Sequence, residues 1–112
     1  MKQLLGFFLF SMFTFGVSAS DWQKEVLIGF VRDDRGMVFQ VYSGGCTDKD
    51  DFKIVLDNQA NVTTLTLFRI NPDYCKALLP FGRYITYTYE ELNLRRRQPV
   101  QILNPLNPGF IY

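Results

Sequence analysis

The sequence predicts an all-β fold, a small single-domain sandwich or barrel of about six strands with one disulfide and at most short helical turns. Three observations predict this class. Of the 92 residues from Asp21 onward, 32 are β-branched or aromatic and only two are alanine, which favours strands over helices. Short alternating apolar runs are separated by clusters of turn residues. The length supports one hydrophobic core, and no repeat or linker divides it.

Residues 1–20 have the pattern of a cleavable signal peptide. Lys2 is the only charged residue among them, an apolar stretch runs from Leu4 to Val17, and small residues follow. The stretch is shorter than the roughly 20 residues that a membrane-spanning helix needs. We therefore expect residues 21–112 to form one exported domain, periplasmic or secreted, with no transmembrane segment after signal cleavage.

Two cysteines, Cys46 and Cys75, remain in the exported chain. An oxidising compartment makes their pairing the default, and only one connectivity is available. Closing the loop between them stabilises the domain by about 3.5 kcal/mol in the chain-entropy estimate. The spacing is not C-x-x-C, so we expect a structural disulfide and not a redox site.

The first predicted unit is a β-hairpin. Residues 25–32 and 37–41 alternate in hydropathy on either side of the turn Asp33–Gly36. The turn has Asp and Gly where a short loop needs positive φ. Both faces of the strands are fairly apolar, which predicts central positions in a sheet.

The second predicted unit is another hairpin, reached through a loop of small and charged residues from Ser43 to Asp51. Residues 52–56 are extended, residues 57–61 form a turn, and residues 62–70 form a long strand. The acidic loop lacks the Gly and Glu of a calcium-binding EF-hand. We predict a solvated loop that caps the next segment, with no metal and no cofactor.

Short helical turns are predicted at two places. Asn71-Pro72 combines a capping residue with proline at the first helical position, which predicts one turn carrying Cys75. We expect Arg69 and Asp73 to form an ion pair that holds this turn. Farther on, Thr88 and Glu91 have the T-x-x-E spacing of a capping box and predict one helical turn.

The remaining predicted strands are residues 83–88, the clearest alternation in the chain, and residues 100–103. The apolar end Phe110–Tyr112 has two interpretations. It closes an edge strand, or it forms an assembly contact.

Several short stretches resemble a group of small, exported, uncharacterised bacterial proteins. They are Ser43–Thr47, Asp51-Phe52, the spacing from Arg69 through Asp73 to Cys75, and Tyr89–Leu92. The similar part runs from about Val41 to Leu94. The resemblance implies bacterial export, and it assigns no activity, ligand or partner.

Residue usage excludes several functional classes. The chain has no histidine, the usual general base at neutral pH. The 11 basic and 11 acidic residues after position 20 give no net charge, which argues against nucleic-acid binding. An enzyme would need a Ser–Lys pair built on Ser43, or carboxylates brought together from different loops. We predict a binding module and keep a small periplasmic enzyme as the alternative.

The first candidate binding surface consists of Arg95, Arg96 and Arg97. Residues 76–112 carry a net charge of +3 and residues 21–75 a net charge of −3. Three consecutive arginines fit the phosphate or carboxylate groups of an anionic envelope surface or an acidic protein. The alternative is a solvated loop whose arginines pair with Glu90 and Glu91.

The second candidate surface consists of Leu78, Leu79 and Phe81. Pro80 lies between Leu79 and Phe81, and Cys75 with its expected disulfide lies just before the segment, which is therefore typical of the rigid, protruding loops of protease inhibitors. The alternative is that the three side chains fill the core. The expected partner is another exported protein, and we expect a monomer or a weak oligomer.

Overall fold

The computed structural model describes residues 22–108, so the predicted signal peptide and the apolar end Phe110–Tyr112 lie outside the described residues. The described chain is mostly β, as predicted. It contains β1 (Gln23–Lys24), β2 (Leu27–Arg32), β3 (Gly36–Val41), β4 (Phe52–Asn58), β5 (Thr63–Arg69), β6 (Arg83–Thr88), a single-turn helix α1 (Tyr89–Leu92) and β7 (Val100–Ile102). Between residues 22 and 108, no helix is long and apolar enough to span a bilayer.

One sheet, here named the β3 sheet, has the antiparallel order β2-β3-β6. The predicted hairpin of β2 and β3 is confirmed. Met37, Phe39 and Val41 of β3 are fully buried because they alternate onto the inner face. The central position predicted for both strands is correct for β3 only. β2 is an edge strand, since β6 pairs with β3 on its other side.

The turn between β2 and β3 is closed by a side chain. Asp33 Oδ1 accepts the N–H groups of Arg35 and Gly36 at 2.8 and 3.2 Å, and these bonds lower the pKa of Asp33. The positive φ predicted for this turn is wrong, because no residue between Asp33 and Gly36 adopts it. Gly36 is required for another reason: a Cβ there would lie 2.0 Å from the carbonyl oxygen of Tyr87.

The other sheet, the β5 sheet, has β5 at its centre. β4 pairs with one side of β5 and completes the second predicted hairpin. β1 and β7 share the other side, at opposite ends of β5. The buried Asn104 side chain fills the gap between them: it accepts the N–H of Leu67 and donates to the carbonyls of Leu67 and Glu25, each at 2.8 Å. The side-chain amide of Asn104 thus makes hydrogen bonds that the backbone of a continuous strand would otherwise make with β5.

The core lies between the two sheets and under α1. Its buried members are Leu27, Met37, Phe39, Val41, Phe52, Leu65, Leu67, Ile85, Tyr89 and Leu92. The capping box predicted for α1 is confirmed, because Thr88 Oγ1 accepts the N–H of Glu91 and the Glu91 carboxylate accepts the N–H of Thr88. One sandwich therefore accounts for the described chain.

The helical turn predicted at Asn71–Cys75 is wrong. The chain from Pro72 to Leu79 has no helix, turn or bend. Asp73, which lies within the predicted turn, accepts N–H groups from the distant segment Gly44–Cys46 as well as from Cys75. These long-range bonds outweigh the local capping preference.

Candidate binding surface

The structure places the two predicted surfaces at opposite ends of the β3 sheet. The apolar loop, residues 74–82, leads into β6 where Arg83 is opposite Val41. The arginine loop, residues 93–99, follows α1 at the end where Gly36 is opposite Thr88. Six-residue strands separate these ends by about 17 Å. The two surfaces are therefore separate sites.

The apolar loop is anchored at its base by the carboxylate of Asp73. One oxygen, Oδ2, accepts the N–H groups of Gly44 at 2.8 Å and Cys46 at 3.1 Å, and the hydroxyl of Thr47 at 2.6 Å. The other oxygen accepts the N–H of Cys75 at 2.9 Å. Burial raises the pKa of Asp73, but these hydrogen bonds outweigh burial and hold the pKa at about 2. The carboxylate is therefore charged throughout the neutral range.

Arg69 lies under the same loop base. It donates to both carboxylate oxygens of Glu25, at 3.0 and 2.8 Å, and to the hydroxyl of Thr47 at 3.1 Å. The predicted ion pair between Arg69 and Asp73 is wrong, because the Thr47 hydroxyl lies between them and bonds to both. Glu25 reaches Arg69 because it directly follows β1, which pairs with the end of β5.

The predicted disulfide between Cys46 and Cys75 is confirmed, with 5.7 Å between the Cα atoms. Their sulfur atoms and an oxygen of Asp73 lie within 4.8 Å of one another. Sulfurs joined to each other are not thiolate ligands, so the three residues form a structural clasp and not a metal centre.

Ser43, the candidate nucleophile of the enzyme alternative, is buried beside the clasp. Its hydroxyl donates to Asp73 at 3.3 Å and accepts the N–H of Gly45 at 3.0 Å. Within residues 22–108, no lysine is hydrogen-bonded to this hydroxyl. Ser43 therefore supports the loop base and is not part of the Ser–Lys pair that the enzyme alternative needs.

The backbone of the apolar loop is also held on both sides of Leu78. The Ala77 N–H donates to the carbonyl of Gly44 at 2.7 Å. After Leu78, the Leu79 carbonyl accepts the N–H of Gly82 at 3.0 Å. Gly82 has φ +65°, and a Cβ there would meet the carbonyl oxygen of Val41 at 2.0 Å, so only glycine fits this return to β6.

The side chains of the apolar loop face outward. Leu78 is 85% exposed, Phe81 66% and Leu79 39%. The core-filling alternative is therefore wrong for these three residues. Two aromatic side chains that the sequence analysis did not select, Tyr74 and Tyr84, are 83% and 60% exposed. The alternating sequence of β6 was a pattern from which the exposure of Tyr84 could have been predicted. No sequence pattern indicated the exposure of Tyr74.

The outer face of the β3 sheet continues this surface. Gln40 donates from Nε2 to the Phe81 carbonyl at 2.8 Å, so the loop lies over that face. Tyr84 is opposite Gln40, and Val31 and Thr86 flank Val38 in the next row. The outward positions of β2, β3 and β6 carry no charged side chain. The exposed surface is thus apolar or neutral beyond the loop itself.

The arginine loop is held through its backbone by Arg32. Nη2 of Arg32 donates to the carbonyls of Arg96 and Gln98 at 2.9 and 2.8 Å, and Nε donates to the Tyr89 hydroxyl at 3.0 Å. Arg96 donates from Nε to the carbonyl of Asp34 at 3.1 Å. The side chains of Arg95, Arg96 and Arg97 are exposed, whereas Leu94 of the same loop packs against the core.

The arginine side chains do not pair with α1. Glu91 forms its ion pair with Lys49, which lowers the pKa of Glu91. In the described part of the chain, no salt bridge includes Arg95, Arg96 or Arg97. The alternative pairing with Glu90 and Glu91 is therefore wrong.

A cleft of about 280 Å³ lies beside the arginine loop. It is lined by Asp33, Asp34, Arg96 and Arg97. The two carboxylates reduce the positive potential that the arginines create, so this end is a mixed-charge surface and not a purely cationic one.

No protein-family model matches the chain, and no curated protein or solved structure is significantly similar to it. Its class is therefore defined by the fold and the surface. The protein is a small, disulfide-bonded β-sandwich domain with an exposed apolar loop anchored at its base.

Proposed function

We propose that this protein is an exported binding module that holds another exported protein through its apolar loop, with a protease as the narrower version of that partner. One observation carries the proposal: large apolar side chains are exposed on a loop whose backbone is anchored on both sides. A loop that only stabilised the domain would bury Leu78 and Phe81.

The physical basis is preorganisation. Ordering a loop and its side chains costs free energy on binding, and a loop that is already fixed avoids most of this cost. Exposed aromatic and aliphatic side chains that enter a partner's pocket supply most of the binding energy of typical interfaces. Tyr74, Leu78 and Phe81 combine both properties.

The arginine loop supports a second candidate, contact with an acidic protein or an anionic envelope surface. Arg95 and Arg97 are exposed, and neither takes part in a salt bridge with the described residues. Guanidinium groups bind phosphate and carboxylate with fixed geometry. Asp33 and Asp34 in the adjacent cleft weaken this candidate relative to the apolar loop.

Export to the periplasm or medium belongs to the same proposal. The disulfide is typical of an oxidising compartment, and the pattern of residues 1–20 is that of a signal peptide. The alternative of a small periplasmic enzyme has less support, because Ser43 is buried and bonded to Asp73.

The test is affinity capture with matched variants. The exported protein, with its disulfide formed, is immobilised and exposed to the exported proteins of the same cells. We expect the wild-type protein to retain a stoichiometric partner. The double variant Leu78→Asp with Phe81→Asp should lose this partner. The triple variant Arg95→Ala, Arg96→Ala and Arg97→Ala should still retain it. Because the contact is apolar, about 0.5 M salt should not release the partner.

Two outcomes contradict the proposal. A partner that is lost with the arginines and at high salt, but retained by the apolar-loop variant, would move the function to the anionic contact. Failure of the wild-type protein to retain any partner would remove protein binding as the function. Melting temperatures of the variants provide the folding control.

A further inference from the structure

We infer that the apolar loop is built to occupy the cleft of a chymotrypsin-like serine protease, with Leu78 in a hydrophobic specificity pocket and the Leu78–Leu79 peptide at the site of attack. The inference rests on the proposed function, since a loop that binds no protein inhibits none. It goes further by naming the partner's chemistry and the residue that selects it.

The apolar loop has no regular element that binding would have to break. The chain from Pro72 to Leu79 has no helix, turn or bend and belongs to no strand. A protease of this type holds its substrate as an extended strand, by adding it to the edge of its own sheet. The apolar loop can add to such an edge without breaking a helix or strand of the domain.

Two N–H groups of the apolar loop remain available for binding. The Ala77 N–H is bonded to the carbonyl of Gly44 at 2.7 Å. Across residues 22–108, the N–H groups of Lys76 and Leu78, on either side of Ala77, have no hydrogen-bond partner. They are donors with which the edge strand of a protease can pair.

Side-chain exposure selects the residue that enters the specificity pocket. Leu78 has the most exposed of the large apolar side chains, at 85%, and a hydrophobic slot selects such a side chain. The adjacent cationic choice, Lys76, is disfavoured because the peptide after it ends in the Ala77 N–H, which is held against Gly44. The structure therefore favours an apolar pocket over an acidic one.

The restraints on the two ends of the Leu78–Leu79 bond distinguish an inhibitor from a substrate. Hydrolysis adds water across the Leu78–Leu79 bond: the oxygen joins the Leu78 carbonyl carbon to make a carboxylate, and both protons leave on the Leu79 nitrogen as an ammonium. The disulfide at Cys75 holds one new end, and the Leu79–Gly82 hydrogen bond holds the other. Because the ends stay adjacent, the reverse reaction with loss of that water competes with release.

The test uses chymotrypsin and trypsin as probes, each with its own chromogenic peptide substrate. The wild-type protein should inhibit chymotrypsin. Leu78→Lys should weaken this inhibition by about 100-fold, as expected for a central contact residue, and should create inhibition of trypsin. Val55→Lys places the same charge on an exposed position of β4, in the β5 sheet, and is the matched control, expected to behave as wild type.

Three results would overturn the inference. They are an uninhibited chymotrypsin in the presence of folded wild-type protein, rapid cleavage at Leu78–Leu79 without inhibition, and inhibition that Leu78→Lys leaves unchanged. Melting temperatures and thiol titration verify that each variant is folded and oxidised. If the capture experiment yields a partner that requires Leu78 but is not a protease, the proposed function stands and this inference alone fails.

Discussion

The two surface loops at the ends of the β3 sheet expose their side chains in the same way but are anchored differently. The arginine loop is held by Arg32 of β2, which donates to two carbonyls of the loop. The apolar loop is held by Asp73 at its base, which accepts the N–H groups of Gly44 and Cys46. The apolar loop adds a covalent bond, whereas the arginine loop depends on hydrogen bonds alone. A covalent anchor suits a preorganised contact surface, because it keeps the loop fixed before binding. Hydrogen bonds alone suffice for a charged surface, because charges act at longer range.

The largest expected effect comes from removing the covalent anchor. Cys46→Ser with Cys75→Ser should lower the free energy of unfolding by about 3.5 kcal/mol, measured by urea denaturation. Native-state hydrogen exchange should show lost protection at Ala77 and Gly82, with the Gln98 amide of the arginine loop changing only through the global loss of stability.

Equal loss of protection at both loops, beyond the global change, would contradict this separation. Mild reduction of the wild-type protein is the control, since it opens the same bond without changing the sequence. It should reproduce the variant's exchange pattern.

The carboxylate of Asp73 should have the next largest effect. Asp73→Asn leaves the N–H groups of Gly44 and Cys46 without an anionic acceptor, and bonds to charged groups contribute about 1.5–3 kcal/mol. The folded pKa of about 2 lies below the ordinary value of 3.8. The stabilisation is therefore present above about pH 4 and is lost as pH falls towards about 2. The stability difference between wild type and variant should shrink over this range.

A stability difference between wild type and variant that stays constant from pH 5 to about pH 2 would contradict this account.

The same variant, Asp73→Asn, tests the electrostatics of the disulfide. An oxygen of Asp73 lies within 4.8 Å of both sulfurs, and a nearby negative charge disfavours the thiolates that reduction forms. Dithiothreitol should therefore reduce Asp73→Asn faster than wild type, and equal rates would argue against that role.

A smaller effect is expected from the anchor of the arginine loop. Arg32→Met removes three hydrogen bonds, to Tyr89, Arg96 and Gln98. Water can replace part of this bonding at the surface, so the loss of stability should be about 1 kcal/mol. Hydrogen exchange should increase in residues 93–99 and not at Ala77.

The matched control is Arg35→Met, which removes an exposed arginine at the adjacent hairpin turn. It should leave both stability and exchange near the wild-type values. If Arg35→Met and Arg32→Met had equal effects, the Arg32 bonds would not be the anchor.

The smallest effect on stability is expected from Arg95→Ala with Arg97→Ala. Both side chains are exposed, and neither forms a salt bridge with a described residue, so the unfolding free energy should change by less than about 0.5 kcal/mol. Binding to vesicles of anionic lipid, measured by sedimentation, should fall if the arginine loop contacts such surfaces. A large loss of stability would show that the arginines pair inside the fold.

Local sequence patterns predicted the hairpins, the capping box of α1 and the disulfide. Each of these features is decided by neighbouring residues or, for the disulfide, by there being only two cysteines in the sequence. Two of the failed predictions involve a group with competing partners. Asp73 was expected to lie in a local helical turn and to pair with Arg69, but Gly44, Cys46 and Thr47 donate hydrogen bonds to its carboxylate.

The candidate binding surface was also predicted only in part from the sequence. The sequence alone determined that Leu78, Leu79 and Phe81 form a short apolar segment between a disulfide and a glycine, because composition and order are enough to show it. Only the tertiary structure decided that these side chains point outward and that Tyr74 and Tyr84 join them. The reason is physical: exposure depends on where the loop backbone finds its hydrogen-bond partners, and those partners, Gly44 and Gln40, are more than 30 residues away in the chain.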